Sequence, residues 1–445
     1  ERLAAEMNTL GDGEPLLLVN TLPWERTEPV MAEVLLPGFA TQVAVIDRSG
    51  RSLPVQVIDR TDQAGGCLAR ICFVARMPAL GCTVLRVVQG TGAGQERPLL
   101  AYGTTIESSR YRLAVDPETG WVASLYDIAN GVECLAGPGC VPVVLEDPSD
   151  TWSHGVVGFR DEAGRFRGEA ELVECGPVRA VLRVRQRFNE SMVEQDFTVY
   201  SECDRIDCEM RIDWHERHRM LKLSLPVNVA APRAIFEVPF GTIQRPGEGS
   251  EEPGQRWVDV EGVIGGECYG VLLANDSKYG YDFKNGELRV SLLRSPIYAF
   301  HEPRVPERHR KYLYTDQGRQ VVRYTIVPHR GDWRDAGAVA VGASLNSPPI
   351  LLWGEKRHGG RLGPEVSLLK VSPGSVIAEV LKYAEDGSGL IVRVRETAGS
   401  GTVASFELPL HGFSHRFAIG ACEVKTFRVG RDGSVTETDL LERAI

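Results

Sequence analysis

Apolar and polar residues alternate in short runs along most of this chain, and a period of two is typical of β-strands. Six such runs lie between residues 14 and 90, separated by Pro, Gly or Asp. Runs of this length and spacing predict a small β-sandwich. The polar, aperiodic segment 91–98 that follows them predicts a linker.

The runs between residues 100 and 328 are longer. Leu182 and Val184 lie on one face of a predicted strand, whereas Arg183 and Arg185 lie on the other. Long antiparallel strands with one polar face need a second sheet to cover the apolar face. The pattern therefore predicts an all-β protein built around a large sandwich.

A helical pattern interrupts the strands at residues 332–345, where Asp332 is the expected cap and 346–348 the stop signal. Residues 1–10 resemble the last turns of an amphipathic helix. The predicted domains are the end of a helix (1–13), a small β-sandwich (14–98), a large β super-sandwich (99–330), a helix with a linker (331–365) and a terminal small β-sandwich (366–445).

The segment 104–160 combines a hairpin with a polar loop. Its two strands each show three alternating residues, Tyr111, Leu113 and Val115 in the first and Trp121, Ala123 and Leu125 in the second. The loop that follows contains Trp152 and His154 among several Asp and Ser residues. Polar and aromatic side chains on a loop beside a rigid sheet are typical of carbohydrate sites. Trp152 could instead be a packing residue.

Two carboxylates of the same loop, Asp147 and Asp150, are candidates for acid–base chemistry on a sugar. Glycoside hydrolysis needs two carboxyl groups on opposite sides of the scissile bond, about 5–9.5 Å apart. Close spacing on one loop seldom gives that arrangement, so turn capping is the better interpretation of both.

Charge and cysteine content exclude several classes of function. The net charge of −10 and the lack of a basic stripe argue against nucleic acid. No apolar run is long enough to span a membrane. The 10 cysteines form no CxxC pair, which argues against a structural metal and favours reduced thiols in a cytoplasmic protein.

The order of these elements resembles the C-terminal region of glycoside hydrolase family 38, the α-mannosidases. The resemblance rests on residues 18–26, on the 104–135 hairpin with the Asp-Thr-Trp sequence at 150–152, and on the late segments 331–336 and 345–348. Four such pieces in the family's order are more specific than any one of them.

The resemblance implies that the chemistry lies elsewhere. In that family an N-terminal α/β barrel holds a zinc ion and an aspartate nucleophile, and a helical bundle follows it. We therefore expect this chain to be a fragment that starts after the bundle, with no catalytic or metal-binding residue of its own. Its expected partners are its own catalytic barrel and an α-mannoside bound by the holoenzyme, while self-association is left open. The large sandwich is expected to be galactose-mutarotase-like.

A second polar loop follows the apolar strand 270–274. Asp276, Lys278 and Tyr279 lie at that strand's end, where binding sites gather, and Arg294 ends the next predicted strand. In the family the matching loop leans over the mannose pocket. We therefore predict that these four residues, with Trp152 and His154, bind the substrate, although an ordinary turn with a solvated Lys remains the alternative.

Two other functions fit an all-β chain. A carbohydrate-binding module would need an exposed aromatic row, yet aromatic residues are only 7% and scattered. An enzyme on the same sandwich, either mutarotase-like or lyase-like, is the other alternative. A mutarotase would need a facing His and Glu, for which His215 and Glu237 are candidates. The pair His215 and His218 is better explained as a solvated turn than as a metal site, because residues i and i+3 of a strand face opposite ways.

Overall fold

The computed structural model describes residues 2–37, 42–63, 66–90, 98–300, 305–353 and 357–445. Apart from Pro98, the predicted linker 91–98 lies outside these residues. The chain divides into two compact units, one formed by Glu1–Gln95 with Ser347–Ile445 and the other by Glu96–Asn346. The predicted domain boundaries, which separate residues 1–98 from 331–445, stay predictions.

The elements follow one another as strands almost throughout. The first unit begins with α1 (Arg2–Glu6), β1 (Glu14–Asn20), β2 (Arg26–Pro37), β3 (Val43–Ile46), β4 (Ser52–Leu53), β5 (Val55–Gln63), β6 (Gly66–Met77) and β7 (Gly81–Gln89). The second unit contains β8 (Leu100–Tyr102), β9 (Thr105–Glu107), β10 (Tyr111–Val115), β11 (Val122–Asp127), β12 (Val132–Glu133), β13 (Val141–Glu146), β14 (Glu162–Arg165), β15 (Arg167–Cys175), β16 (Arg179–Phe188), β17 (Ser191–Tyr200), β18 (Ile206–Trp214), β19 (Arg219–Pro226), β20 (Ala230–Val238), β21 (Gly241–Arg245), β22 (Glu252–Pro253), β23 (Trp257–Ile264), β24 (Glu267–Asn275), β25 (Gly280–Lys284), β26 (Glu287–Arg294), β27 (Gly318–Arg330) and α2 (Ala338–Asn346). The first unit then resumes with β28 (Ile350–Trp353), β29 (Glu365–Ser367), β30 (Lys370–Ser372), β31 (Val376–Tyr383), β32 (Gly389–Glu396), β33 (Thr402–Leu408), a 3-10 turn (Pro409–His411), β34 (Phe413–Ile419), β35 (Val424–Gly430) and β36 (Val435–Thr438).

The second unit is a large sandwich of two main sheets. One has nine strands in the order β15-β16-β17-β18-β27-β24-β23-β20-β21, and the other has six in the order β14-β13-β19-β26-β25-β22. Their apolar faces share one core, to which Leu182 and Met210 contribute from the first sheet and Leu221 and Val290 from the second. A third sheet, β12-β11-β10-β9-β8, adds Tyr111 to this core. The predicted all-β class with a large central sandwich is confirmed.

The first unit contains two smaller sandwiches. In one, the three-stranded sheet β2-β6-β5 faces the sheet β28-β1-β7-β3-β4, and β29 pairs with β7. Strands from the late part of the chain therefore complete a sheet that residues 14–90 begin. In the other, β30-β33-β34 and β31-β32-β35-β36 enclose a core that includes Phe406 and Phe427.

The predicted hairpin is present, but its second strand does not alternate as expected. β10 pairs with β11, and the register shifts between Ala114 and Val115. Because of this bulge, Val122 and Leu125 face the main core while Ala123 is exposed. Trp121 packs in a separate cluster. The predicted alternation of Trp121, Ala123 and Leu125 is therefore wrong.

The helix begins later than the sequence pattern predicted. Asp332 lies in a turn, where its carboxylate accepts the backbone N–H of Arg334 at 2.8 Å, and does not cap the helix. Gly337 has φ +63°, a left-handed conformation that cannot belong to an α-helix, so α2 starts at Ala338. Trp333 and Ala338 pack with Trp257 on the outer face of the nine-stranded sheet.

Candidate functional site

Loops from both main sheets of the second unit meet at one edge of the large sandwich. We call this region the loop edge and define it as residues 147–161, 215–218, 276–279, 295–300 and 305–317. Strand register places these loops together, because the pairs at this edge are Glu146 with Arg219, Met220 with Arg294, Trp214 with Gly318 and Asn275 with Tyr324. Both predicted substrate-binding loops lie here.

Arg294 anchors the first of these loops. Its guanidinium donates to both carboxylate oxygens of Asp147, at 3.0 and 3.1 Å, and to the hydroxyl of Ser149 at 3.0 Å. It also lies 4.8 Å from the ring centre of Phe159. Asp147 is fully buried, so this charge-assisted pair is shielded from water. The ion pair fixes the start of the loop against the end of β26.

A backbone bridge and hydrogen bonds from backbone N–H groups to side-chain oxygens hold the rest of the loop. Asp150 bridges to Ile297 as a short parallel pair, and its carboxylate accepts the N–H of Trp152 at 2.9 Å. The hydroxyl of Thr151 accepts the N–H of Ala299 at 3.0 Å. Asp147 and Asp150 therefore organise the turn, as expected for Asp in that position.

Trp152 and His154 project from this anchored loop. The side chain of Trp152 is 64% exposed, and the ring centres of Trp152 and His154 are 6.4 Å apart. An indole that is largely exposed contributes little to a core but offers an apolar face to a planar or sugar-like ligand. This exposure argues against Trp152 as a core residue.

Lys278 lies half-buried on the second loop. Its backbone N–H donates to the side-chain oxygen of Asn275 at 2.6 Å, and its ammonium donates to Gln320 at 3.3 Å. Burial lowers the pKa of Lys278, and the negative charges of Asp316 and Asp276 partly oppose that effect. Asp316 also accepts the backbone N–H of Arg294 at 2.9 Å. Gln320 in turn donates to the backbone carbonyl of Asp316 at 3.3 Å. Hydrogen bonds thus connect Lys278 to Arg294 through Gln320 and Asp316, two residues that the sequence analysis missed.

Asp276 and Tyr279 flank Lys278 but differ in environment. Asp276 accepts the N–H of Arg323 at 3.1 Å and the hydroxyl of Ser277 at 2.9 Å. The ring of Tyr279 is 52% exposed. Of the two, Tyr279 is the better placed to meet a ligand.

Two further aromatic groups of the loop edge were missed as well. The ring of Tyr314 lies 5.2 Å from that of His218 and 5.0 Å from the guanidinium of Arg217. Tyr298 is exposed beside them in the chain segment that pairs with residues 313 and 314. Tyr312 and Tyr314 alternate in the sequence, a short strand-like signal that the charged residues before them obscured.

The described residues contain no cluster of three or more His, Cys, Asp or Glu that could hold a metal ion. The candidate pair of a mutarotase-like enzyme does not face one sugar either. His215 lies 3.0 Å from Asp213, and Glu237 is paired with Arg256. Three strands lie between β18 and β20, so four strand-to-strand spacings of about 4.8 Å, or roughly 19 Å, separate the two. Within the part of the chain that the structure describes, no helix is long and apolar enough to cross a membrane.

Comparison with known proteins supplies the family context. Residues 106–304 match the model of the glycosyl hydrolases family 38 C-terminal domain. The chain is 28% identical over 422 residues to human (Homo sapiens) Alpha-mannosidase 2C1, covering 89% of this chain and 36% of that protein. It is 26% identical over 370 residues to Alpha-mannosidase G of Dictyostelium discoideum, covering 74% of this chain and 33% of that protein. The chain therefore spans about a third of the length of the curated relatives it matches.

Solved structures show the same fold. A glycosyl hydrolase family 38 protein from Enterococcus faecalis superimposes with a TM-score of 0.77 at 16% identity, over 96% of this chain and 60% of that one. An α-mannosidase from Enterococcus faecalis V583 gives a TM-score of 0.75 at 15% identity, over 95% of this chain and 57% of that one.

Proposed function

This chain belongs to the C-terminal region of the glycosyl hydrolase family 38 α-mannosidases, and from that premise we propose that it is the non-catalytic part of a longer retaining, zinc-dependent α-mannosidase. Its proposed tasks are to buttress the catalytic barrel and to supply one wall of the substrate pocket from the loop edge. The observation that carries this proposal is the anchored loop that presents an exposed Trp152 next to the loop of Lys278.

In this proposal each loop-edge residue has a separate role. Trp152 stacks against one face of the sugar ring. Lys278, Tyr279 and His154, which lie on the same loop edge, form hydrogen bonds with the hydroxyl groups of the sugar. Arg294 is a positioning residue as well as a predicted ligand, because its guanidinium holds the loop through Asp147.

The retaining reaction needs a carboxylate nucleophile and a second carboxyl group that acts first as acid and then as base. We assign both to the preceding part of the longer protein, since Asp147 is engaged with Arg294 and Asp150 with the turn. Zinc would bind sugar hydroxyls and favour ring distortion. The described residues of this chain offer it no ligand cluster.

A cytoplasmic location is also proposed. Eight cysteines are free thiols, namely Cys67, Cys82, Cys134, Cys140, Cys175, Cys208, Cys268 and Cys422. Thiols in such number suit a reducing compartment.

Turnover of an aryl α-mannoside tests the proposal. The 445-residue chain should show no turnover with or without zinc, whereas the longer protein should release mannose with retained anomeric configuration. Turnover by this chain alone, or inversion by the longer protein, would contradict the proposal.

A further inference from the structure

The terminal sandwich has an open end. Residues of the sheets β30-β33-β34 and β31-β32-β35-β36 line a cavity of about 580 Å³ there. This volume lies within the range of roughly 300–1,000 Å³ that is usual for small-molecule sites. We propose that the cavity is a binding site for a neutral carbohydrate, distinct from the loop edge and additional to the function proposed above.

The floor of the cavity consists of core-facing positions on the four-stranded sheet. Tyr383, Leu390 and Val429 are direct neighbours across three adjacent strands, so their side chains share one face of the four-stranded sheet. That face is the core face, because Val429 belongs to the core and Leu381, two residues before Tyr383, packs against it. Tyr383 is nevertheless 78% exposed. An aromatic ring at a core-facing position is therefore left open to solvent at the mouth of the cavity.

The opposite wall comes from the three-stranded sheet. Leu408 and Phe413 are paired across β33 and β34, and both pack on the sandwich core. The cavity thus has two apolar walls, one from each sheet, with an aromatic ring in each. A flat, partly apolar ring can enter such a space and contact both walls.

The rim is polar and balanced in charge. Arg431 reaches across from one turn to donate to the carbonyl of Gly387 in another at 3.4 Å, and its neighbour Asp432 caps its own turn through Ser434. His411, at the end of the 3-10 turn, completes the rim. One cation beside one anion gives no preference for a charged ligand, whereas donors and acceptors around apolar walls suit the hydroxyl groups and the apolar ring face of a neutral sugar.

The glycines of the two turns keep the mouth open. A Cβ added at Gly387 or Gly433 would meet no atom within 4 Å, so both border free space. Both residues have positive φ, +69° and +82° respectively, which fixes the shape of each turn. Positive φ therefore favours glycine at both positions, and neither turn places a side chain there.

Binding of an α-linked mannose disaccharide to the 445-residue chain tests the proposal. Binding is measured by calorimetry and by ligand-observed NMR. We expect one saturable site with a millimolar dissociation constant. Tyr383→Ala should weaken binding about tenfold, equivalent to about 1.4 kcal/mol, while Tyr383→Phe should retain most of the affinity because the ring remains. Since Tyr383 is largely exposed, these variants should fold normally, which a thermal melt verifies.

Tyr102→Ala is the matched control, because Tyr102 is a comparably exposed tyrosine, 56%, in the other unit. It should bind the disaccharide as the parent does. An absence of saturable binding at about 10 mM, well above a millimolar constant, would overturn the proposal. So would an affinity that Tyr383→Ala leaves unchanged, or a purely apolar probe that binds more tightly than the sugar. Binding to this chain does not depend on turnover by the longer protein, so this site and the proposed function can fail independently.

Discussion

Loss of the Arg294 guanidinium should destabilise the second unit strongly. Arg294→Met keeps most of the apolar stem but removes the charge that faces the fully buried Asp147. The variant leaves a carboxylate in the interior with only the hydrogen bonds of Ser149. Breaking a buried ion pair in this way usually costs about 3–5 kcal/mol, because the remaining charge is uncompensated.

The expected shift in melting temperature follows from the size of the unit. Residues 96–346 form it, and in a domain of about that size 1 kcal/mol shifts the midpoint by about 2–4 °C. A loss of about 3–5 kcal/mol therefore predicts a decrease of roughly 6–20 °C. Arg294→Met combined with Asp147→Asn should recover part of this decrease, since the double variant contains no buried charge.

Differential scanning calorimetry of the 445-residue chain is the suitable assay, because two units can give two transitions. Arg165→Met is the matched control. Arg165 also makes two contacts with one carboxylate, at 2.7 and 3.0 Å to Glu162, but both side chains are 41% exposed. Such surface pairs contribute about 0–1 kcal/mol. If Arg294→Met melted within the range of Arg165→Met, the loop would not depend on the buried pair and our reasoning would be refuted.

Three further predictions concern the longer protein and the pH dependence of stability. Trp152→Ala should lower kcat/KM of the longer protein while changing the free energy of unfolding by no more than about 0.5 kcal/mol, as for other exposed sites; a large loss of stability with normal specific activity would contradict it. Lys278→Ala and Tyr279→Phe should each lower kcat/KM by a few-fold to tens-fold, because hydrogen bonds to a ligand contribute about 0.5–1.5 kcal/mol, or more when charged. Wild-type kinetics in both variants would show that this loop is an ordinary turn. Burial opposes the charged form of His329, but the 3.0 Å contact with Asp259 outweighs burial and raises the pKa of His329 above 6.5. The stabilisation that protonated His329 contributes should therefore be complete below pH 6.5 and lost as the pH rises through the folded-state pKa. His329→Gln should lack this decline of unfolding free energy with pH in chemical denaturation, and an identical decline in the variant would exclude His329 as its source.

Alternation of side chains predicted the sheets well, because burial on one face enforces a period of two. Leu182, Val184, Arg183 and Arg185 lie on the faces expected, with Arg183 paired to Asp196 on the neighbouring strand. The pattern failed where the backbone departs from ideal geometry. The bulge at Ala114 and the left-handed Gly337 depend on tertiary packing, and no local periodicity records them.

The candidate site was predicted only in part, for a similar reason. Trp152 and Lys278 lie at strand ends that sequence patterns locate, so their loops were identified. Their connection runs through Gln320, Asp316 and Arg294, and Asp316 lies in a loop far along the chain. Contacts between distant loops follow from strand order and register, which a single sequence does not reveal.

Hydrogen exchange in the longer protein tests most directly whether the loop edge is a wall of the mannose pocket. Amide exchange of residues 147–154 and 276–279 would be compared with and without a non-hydrolysable α-mannoside, with the exposed turn 47–51 of the first unit as internal control. We predict slower exchange in both loops on binding and no change in the control turn. Unchanged exchange in both loops, together with protection in the preceding part of the protein, would contradict the account.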